Sequence, residues 1–348
     1  MSYSRHQIEF VASMSICRSD IRKIRNSLID AKSQVDPLKN VLATPLFMGE
    51  SALGAVRELV EDKPDRKVFF DSGGYYVQMG RIKYEDLYLP LLNAYRTQKW
   101  ADVYVLPDHV PLSQDDIETV NRKVDDTTRT STMFFHEMPD DLKHLAMPVV
   151  QGQTYRHIDK CLEAYFKLGV SRIGFGSFGT SGKNGEINVT TKDSIDLANY
   201  VCKAAHSMGV LVHFFGIGRP ALLTMLYATG ADTFDSSSWL KAAGFGQVFL
   251  PFTRGYNITY NTSVSELELG ISVDNFRHLI AITGHECALC DNFEALQQSR
   301  TQRAVHNLVA TAETTRLLNE GNYDRIHEIY QNGSPRYRSE AQKWLRKN

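Results

Sequence analysis

Long apolar runs are missing from this sequence of 348 residues. No stretch approaches the roughly 18 consecutive apolar residues of a membrane-spanning helix, and the start, MSYSRHQIEF, lacks the charged and then apolar segments of a secretory signal. No short period repeats, which excludes collagen and coiled-coil proteins, and 43% hydrophobic residues exclude a disordered chain. We therefore expect a globular cytoplasmic protein with no membrane partner.

Cysteine is also scarce, with 5 residues in all. A disulfide framework is not expected in a cytoplasmic chain. Cys17, Cys161 and Cys202 lie far apart in apolar or helical segments and are predicted to be buried free thiols. Cys287 and Cys290 form a Cys-x-x-Cys pair, which needs a separate explanation.

Net charge is nearly absent, because 39 Lys and Arg face 40 Asp and Glu. Binding of nucleic-acid phosphates usually depends on an excess of positive charge. The charge is unevenly distributed, however: residues 1–40 carry 7 basic and 4 acidic side chains, and residues 300–348 carry 9 and 5. Basic ends around an acidic centre suit a polyanion held at the rim of a carboxylate-containing site, although solvated helix faces would give the same counts.

Short apolar runs alternate with amphipathic stretches through the middle two thirds of the chain. Each run ends in Gly or a polar residue, and the runs are Val68–Phe70, Val103–Leu106, Pro148–Val150, Arg172–Ile173, Val210–Phe215 and Thr233–Phe234. Between them, apolar residues recur at i, i+3 and i+4, at about 84–97, 113–124, 156–168, 191–208 and 219–229. This alternation of strand and helix predicts a parallel sheet.

A parallel sheet of this kind either stays open or closes into a barrel. No strand is followed by G-x-G-x-x-G with an acidic residue about 20 positions later, the fingerprint of an open dinucleotide-binding sheet. Polar groups follow six strands instead, and a barrel brings the carboxyl ends of its strands to one mouth. We predict an α/β fold, a (β/α)8 TIM barrel over residues 1–284, in which residues 1–60 supply the first strand and helix and about 240–284 form an irregular insertion.

His285, Cys287, Cys290 and His306 form the pattern H-x-C-x2-C-x15-H. Two thiolates and two imidazoles at this spacing match the ligands of a tetrahedral zinc ion. Because no ligand position is left for water, we predict a structural zinc site, against the plainer interpretation of free cysteines and incidental histidines. Residues 285–348 are then a zinc-binding subdomain followed by C-terminal helices packed on the barrel.

Two aspartates, Asp71 and Asp235, directly follow apolar strands. Two carboxylates at one barrel mouth suit chemistry at an anomeric carbon, where one attacks C1′ and the other moves protons. Taken singly, each aspartate can equally cap the next helix. Asp108 and Gln151, two more hydrogen-bonding groups at the same rim, weaken the capping interpretation.

Four short motifs stand in a definite order along the chain. They are Asp71-Ser72-Gly73-Gly74-Tyr75, Val150-Gln151-Gly152, Phe234-Asp235-Ser236, and the Cys-x-x-Cys pair with the later His306-Asn307-Leu308. This order resembles the tRNA-guanine transglycosylases over roughly residues 67–310. Members of that family are zinc-containing barrel enzymes that exchange a guanine for a 7-deazaguanine base.

The resemblance implies a role for each matching position. Asp235 is expected to be the nucleophile that attacks C1′, and Asp71 the acid/base group. The expected base-binding groups are Ser72, Tyr75 by stacking, Asp108 and Gln151 at the polar edge, and the backbone near Gly174 and Gly176. A carboxylate such as Asp108 can accept from guanine N1–H and N2–H2, while either the Gln151 amide or a backbone N–H can donate to O6. C1′ is shielded in a duplex, so the target nucleotide must be flipped out or unpaired.

Three features depart from the family's pattern. His285 stands at the first zinc Cys, the gap to the last His is shorter, and Tyr76 replaces a usual Gln. The chain also ends about 40 residues after His306, too soon for the extra RNA-binding module of the archaeal-type tRNA enzymes that Asp235-Ser-Ser most resembles. We therefore expect the protein to belong to the DNA-modification branch, whose members exchange a DNA guanine for a preQ0-type base. Its expected location is the cytoplasm of a bacterium, or of the host cell if a phage encodes it.

Two alternatives stay open. The first is the same exchange on tRNA, and the second is a non-catalytic subunit that keeps the fold and the zinc to bind nucleic acid. Loss of a carboxylate would mark such a subunit, and both Asp71 and Asp235 are present. The resemblance is also compatible with helper proteins and with a symmetric homodimer, although the sequence identifies no interface.

Overall fold

A computed structural model describes residues 6–112, 114–176, 192–259 and 270–332. Its main sheet consists of nine strand segments, and every neighbouring pair that hydrogen-bonds runs parallel. The segments are β1 (Glu9–Ser13), β2 (Asn40–Ala43), β3 (Lys67–Phe70), β4 (Val103–Val105), β5 (Ala146–Met147), β6 (Val149–Val150), β7 (Arg172–Phe175), β8 (Leu211–Phe214) and β9 (Thr233–Ser236).

The sheet closes because β5 and β6 are two halves of one strand, separated by Pro148 alone. β5 pairs with β4 and β6 pairs with β7, while β1 pairs with both β2 and β9. Pro148 has no N–H to donate to the ladder, but its carbonyl accepts a hydrogen bond of 2.8 Å from the Gly174 N–H. The result is a closed barrel of eight parallel strands, and the predicted TIM barrel is confirmed.

Helices surround this barrel. In chain order up to β9 they are α1 (Arg18–Ala31), α2 (Glu50–Glu61), the short α3 (Gly74–Gln78), α4 (Tyr88–Thr97), α5 (Ile117–Glu137), α6 (Tyr155–Lys167), α7 (Lys192–Ser207) and α8 (Leu223–Thr229). The described part of residues 1–60 thus supplies two strands and two helices, not the one of each that we predicted. The second strand was missed because four buried residues, Asn40–Ala43, are too few to show a period.

The chain after β9 combines a small hairpin with helices. Its elements are α9 (Ser238–Gly244), the antiparallel pair β10 (Gln247–Val248) and β11 (Tyr256–Asn257), α10 (Val273–Thr283), α11 (Phe293–Gln298), α12 (Arg300–Glu320) and α13 (Tyr323–Asn332). The helices predicted for residues 333–348 lie outside the described residues. The domain boundary between residues 284 and 285 stays a prediction.

Helix α12 occupies the place of the eighth outer helix, although the hairpin and α10 precede it. It packs on β1, α1 and α8. Asn319 near its end accepts from the Ile8 N–H at 2.9 Å and donates to the Ile8 carbonyl at 2.8 Å. These contacts attach α12 directly to the start of the first barrel strand.

Side chains alternate between the inside and the outside of the barrel, as the two-residue period of a strand requires. The apolar members of the inward set are Val11, Leu42, Phe69, Val103, Val105, Met147 and Val149. The outward set packs under the helices, where Cys161 and Cys202 are buried as predicted. Cys17 is exposed instead, because it stands before the first turn of α1 and not on the buried face of that helix.

Within the described ranges, no helix is both long enough and apolar enough to cross a bilayer.

Candidate active site and metal centre

The predicted site residues outside the Cys/His group lie in the last residues of barrel strands or in the loops and the short helix α3 that follow them. Asp71 follows β3, where its N–H continues the ladder to the Ala43 carbonyl at 2.9 Å. Its Oδ2 accepts from the Thr44 hydroxyl and from the Gly73 N–H, both at 3.3 Å. The side chain is therefore held by its own turn and by the neighbouring strand end.

Asp108 lies at the centre of a buried hydrogen-bond network. Its Oδ1 accepts from the Ser72 hydroxyl at 3.0 Å, and its Oδ2 accepts from the Gln151 amide at 2.7 Å. Two glycines leave room for this network: a methyl carbon added at Gly74 would lie 2.7 Å from Asp108 Oδ1, and one at Gly176 would lie 2.3 Å from Gln151 Nε2. The structure thus joins residues that follow β3, β4, β6 and β7.

Asp235 lies within β9 and is 7% exposed. Its Oδ1 accepts from the Gly216 N–H at 2.7 Å, and the Nε2 atom of His213 is 3.5 Å from the same oxygen. His213 is fully buried inside the barrel, with Nδ1 2.8 Å from the Thr233 hydroxyl. These groups hold the carboxylate from the side facing the barrel interior.

Neither Gly216 nor His213 was selected from the sequence. The signal for His213 was available, because an imidazole interrupts the apolar run Leu211–Phe215 one strand before Asp235. A backbone N–H such as that of Gly216 leaves no signal in residue identity.

Aromatic rings occupy two sides of the mouth. Tyr75, in the first turn of α3, is 51% exposed, and the Lys241 ammonium lies 5.6 Å from its ring centroid. Gly174 allows the ring of Phe215 to approach, since a methyl carbon at Gly174 would lie 2.3 Å from that ring. Phe215, which the sequence reasoning did not select, is half-buried against the apolar barrel interior.

Burial changes the pKa values of two of these carboxylates. Burial raises the pKa of Asp71 to about 7, and the nearby Asp108 and Asp235 carboxylates add to the rise. Burial also raises the pKa of Asp108 to about 6, against the hydrogen bonds from Gln151 and Ser72. Asp71 is therefore a group that exchanges a proton near neutral pH, as an acid/base group must.

The predicted metal ligands form a second, separate cluster. The ligand atoms of His285, Cys287, Cys290 and His306 all lie within 4.8 Å of one another. Cys287 and Cys290 are joined by a tight turn, in which the Cys290 N–H donates to the Cys287 carbonyl at 3.0 Å. His306 comes from α12, one of the helices predicted after the Cys-x-x-Cys pair.

This donor set fits a zinc ion. Zn–S bonds of about 2.3 Å and Zn–N bonds of about 2.0 Å place tetrahedral ligand atoms roughly 3.3–3.8 Å apart. The Cys290 Sγ atom lies 3.3 Å from His306 Nδ1, and His285 Nε2 lies 3.2 Å from the same nitrogen. A hydrogen bond from Cys290 lowers the pKa of Cys287, with His285 and His306 contributing in the same direction, so a thiolate is available to a metal.

The chain is similar to enzymes that are named for the modification of tRNA. The model of the queuine tRNA-ribosyltransferase (TGT) family matches residues 95–332. A tRNA-guanine(15) transglycosylase of Korarchaeum cryptofilum (strain OPF8) is 27% identical over 198 residues, which cover 54% of this chain and 31% of the relative. The chain therefore spans about a third of that relative's length. This family match extends over more than half of the chain and includes the four residues of the Cys/His cluster, so the chain belongs to the queuine tRNA-ribosyltransferase family.

Proposed function

We propose that this protein exchanges a guanine in a polynucleotide, DNA in the first place, for a 7-deazaguanine base of the preQ0 type. The observation that carries the proposal is the pair of carboxylates Asp71 and Asp235 at one barrel mouth, where the charge of Asp235 helps to raise the pKa of Asp71 to about 7. One carboxylate can then act as a nucleophile while the other holds a proton. Family membership supports a guanine transglycosylase activity.

The exchange takes two displacements at C1′. In the first, an oxygen of Asp235 forms a bond to C1′, the bond from C1′ to the guanine nitrogen breaks, and Asp71 gives its proton to the departing base. In the second, the incoming base loses its ring N–H proton to the Asp71 carboxylate and attacks C1′, and the ester bond to Asp235 breaks. The protein ends unchanged, and the configuration at C1′ is restored by two inversions.

The buried Asp108 network is suited to recognise the base edge. Each carboxylate oxygen has two lone pairs, so Asp108 can accept from guanine N1–H and N2–H2 while it keeps its bonds to Ser72 and Gln151. The same two donors are present on a 7-deazaguanine. Tyr75 offers a largely exposed ring on which the base can stack.

We propose DNA as the substrate before tRNA because two residues depart from the pattern of the tRNA enzymes. These are His285 at the first metal position and Tyr76, whose ring stacks on Phe47 at a centroid distance of 4.0 Å. The second candidate is the same exchange on tRNA. It is favoured by the names of the matching family and of the archaeal relative, both of which refer to tRNA.

We also propose that the Cys/His cluster holds a structural zinc ion. His285, Cys287, Cys290 and His306 supply four ligands, which leaves no open position for a reacting water. The ion would join the 285–290 segment to α12 and would take no part in the exchange.

Incorporation of a labelled base is the direct test of the polymer. We expect radiolabelled preQ0 to enter plasmid DNA when the protein is present, with no label in bulk tRNA. Label in tRNA alone would favour the second candidate, and label in neither polymer under any condition would contradict the exchange reaction. The Asp235→Ala variant is the control for protein-independent labelling.

Asp71→Asn is expected to change stability and activity in opposite directions. The pKa of Asp71 in the folded protein is about 7, above its usual value of 3.8. The folded form therefore binds more protons between about pH 4 and 7, and wild-type stability falls as the pH rises through that window. The amide avoids this loss, so at pH 8 the variant should be more stable by about 1–3 kcal/mol, while the exchange rate falls about 10²- to 10⁴-fold.

Urea unfolding at pH 4.5 and pH 8, together with single-turnover base exchange, measures both effects. The stability difference should be much smaller at pH 4.5, because most of the pH window in which the wild type loses stability lies above that pH. An active variant at pH 8 would remove Asp71 from the proposed chemistry, and a less stable one would contradict the raised pKa.

A further inference from the structure

We infer that Glu313 is the positioning residue that orients His285 for metal binding. The inference rests on the proposed zinc site and adds a residue to it. Glu313 lies on α12, is 3% exposed, and its Oε2 accepts a hydrogen bond from Nδ1 of His285.

The contacts of Glu313 determine which nitrogen of His285 faces the cluster. A carboxylate only accepts, so Nδ1 of His285 must carry the hydrogen and Nε2 must carry the lone pair. Nε2 is the atom that lies 3.2 Å from Nδ1 of His306, inside the ligand cluster. The carboxylate thus selects the tautomer and the ring orientation that a metal ion requires.

His306 is oriented in the same manner by a backbone group. Its Nε2 lies 2.8 Å from the Phe249 carbonyl, which can only accept, so its Nδ1 lone pair faces the cluster. Both imidazoles therefore present a lone pair to the position between the two sulfurs, and each has its opposite N–H held by a buried acceptor. Such agreement is expected of a metal site and not of incidental histidines.

Glu313 is not itself a fifth ligand. Its second oxygen, Oε1, accepts from the Glu286 N–H at 3.0 Å, so both oxygens are directed at the segment that carries His285. Through these two bonds α12 fixes the backbone and the ring of that segment together. The same helix supplies His306 two turns earlier, and one rigid element thereby sets the relative positions of two ligands.

The charge of Glu313 also explains how a histidine can replace a cysteine here. Two thiolates neutralise a doubly positive ion, whereas three thiolates would leave one net negative charge. Here the zinc ion and two thiolates would sum to zero, and the buried Glu313 carboxylate adds one negative charge. The total equals that of a site with three thiolates. An isolated buried carboxylate would be costly, and a metal-polarised imidazole N–H gives it a partner.

The test is a double-mutant cycle on zinc affinity, measured by competition with a chromophoric chelator on the full chain. Glu313→Gln is expected to weaken zinc binding about 10- to 100-fold. Glu320→Gln is the matched control, because Glu320 lies on the same helix with a side chain that is 47% exposed, and it should leave the affinity unchanged. In a His285→Cys background there is no N–H for the carboxylate to accept, so Glu313→Gln should cause no loss.

The zinc content of the wild type and the affinity of Glu313→Gln test the zinc site and the role of Glu313 separately. Absence of zinc in the wild-type protein would refute the proposed zinc site itself. If the wild type binds zinc and Glu313→Gln binds it with an affinity within twofold of the wild-type value, the role of Glu313 is overturned and the zinc site stands. An equal loss in both backgrounds would also overturn it, because the effect would not pass through His285. If Glu313→Gln alone fails to fold, the double variant His285→Cys/Glu313→Gln decides. A double variant that folds and binds zinc supports the inference, and one that stays unfolded contradicts it.

Discussion

Asp235→Ala is expected to abolish the covalent adduct between protein and nucleic acid and to lower the rate of base exchange by about 10⁴-fold or more. In the proposed reaction an oxygen of Asp235 forms the bond to C1′, and the other two carboxylates described at this mouth have different proposed roles. Asp71 moves the proton and accepts from Thr44 and Gly73 through Oδ2, while Asp108 reads the base edge and is bonded to Ser72 and Gln151. Asp235→Asn should lose the adduct as well, because an amide keeps the shape and removes the nucleophilic charge.

Adduct formation can be followed on a denaturing gel after incubation with labelled oligonucleotide in the absence of the incoming base. Asp140→Asn is a suitable control, because the Asp140 side chain is 93% exposed and lies outside the site. An adduct that persists in Asp235→Ala would refute the nucleophile assignment.

Cys290→Ala is expected to lose the metal and much of the folded population. Binding of a structural zinc ion contributes on the order of 10 kcal/mol in small zinc domains, and a three-ligand remnant retains only part of that. The cluster joins the 285–290 turn to α12, and His306 extends the connection to the Phe249 carbonyl. Loss of several kcal/mol would lower the melting temperature by on the order of 10 °C.

Elemental analysis and thermal unfolding measure these two effects. Cys17→Ala is the matched control, because Cys17 is an exposed thiol that does not belong to the cluster. We expect about one zinc per chain in the wild type and in the control. Metal content that stays unchanged in Cys290→Ala would contradict the proposed structural site.

The barrel and most of the candidate site were accessible from local patterns. Apolar runs at 68–70 and 233–234 identified two strands, and the polar residue after each run placed Asp71 and Asp235 at strand ends. The spacing of His285, Cys287, Cys290 and His306 predicted a cluster that the structure confirms. The chemical roles of these residues stay proposals for the experiments above.

What could not be predicted depends on contacts between distant parts of the chain. Closure of the barrel at Pro148, the N–H of Gly216 on Asp235, and the approach of His213 to the same carboxylate all join different strands. The pKa of Asp71 likewise depends on burial and on two carboxylates from other strands. A wrong expectation, the burial of Cys17, came from treating an apolar neighbourhood as a buried face.

By itself the sequence determined the class of fold and the members of the Cys/His cluster, because strand period, helix period and the spacing of candidate ligands are properties of neighbouring residues. Only the tertiary structure decided which groups hold those ligands and carboxylates in position. Glu313 illustrates the difference: it lies 28 residues from His285 on another element, and nothing in either local sequence connects them. The barrel and α12 bring them together, since folding buries both side chains and each then needs a hydrogen-bonding partner.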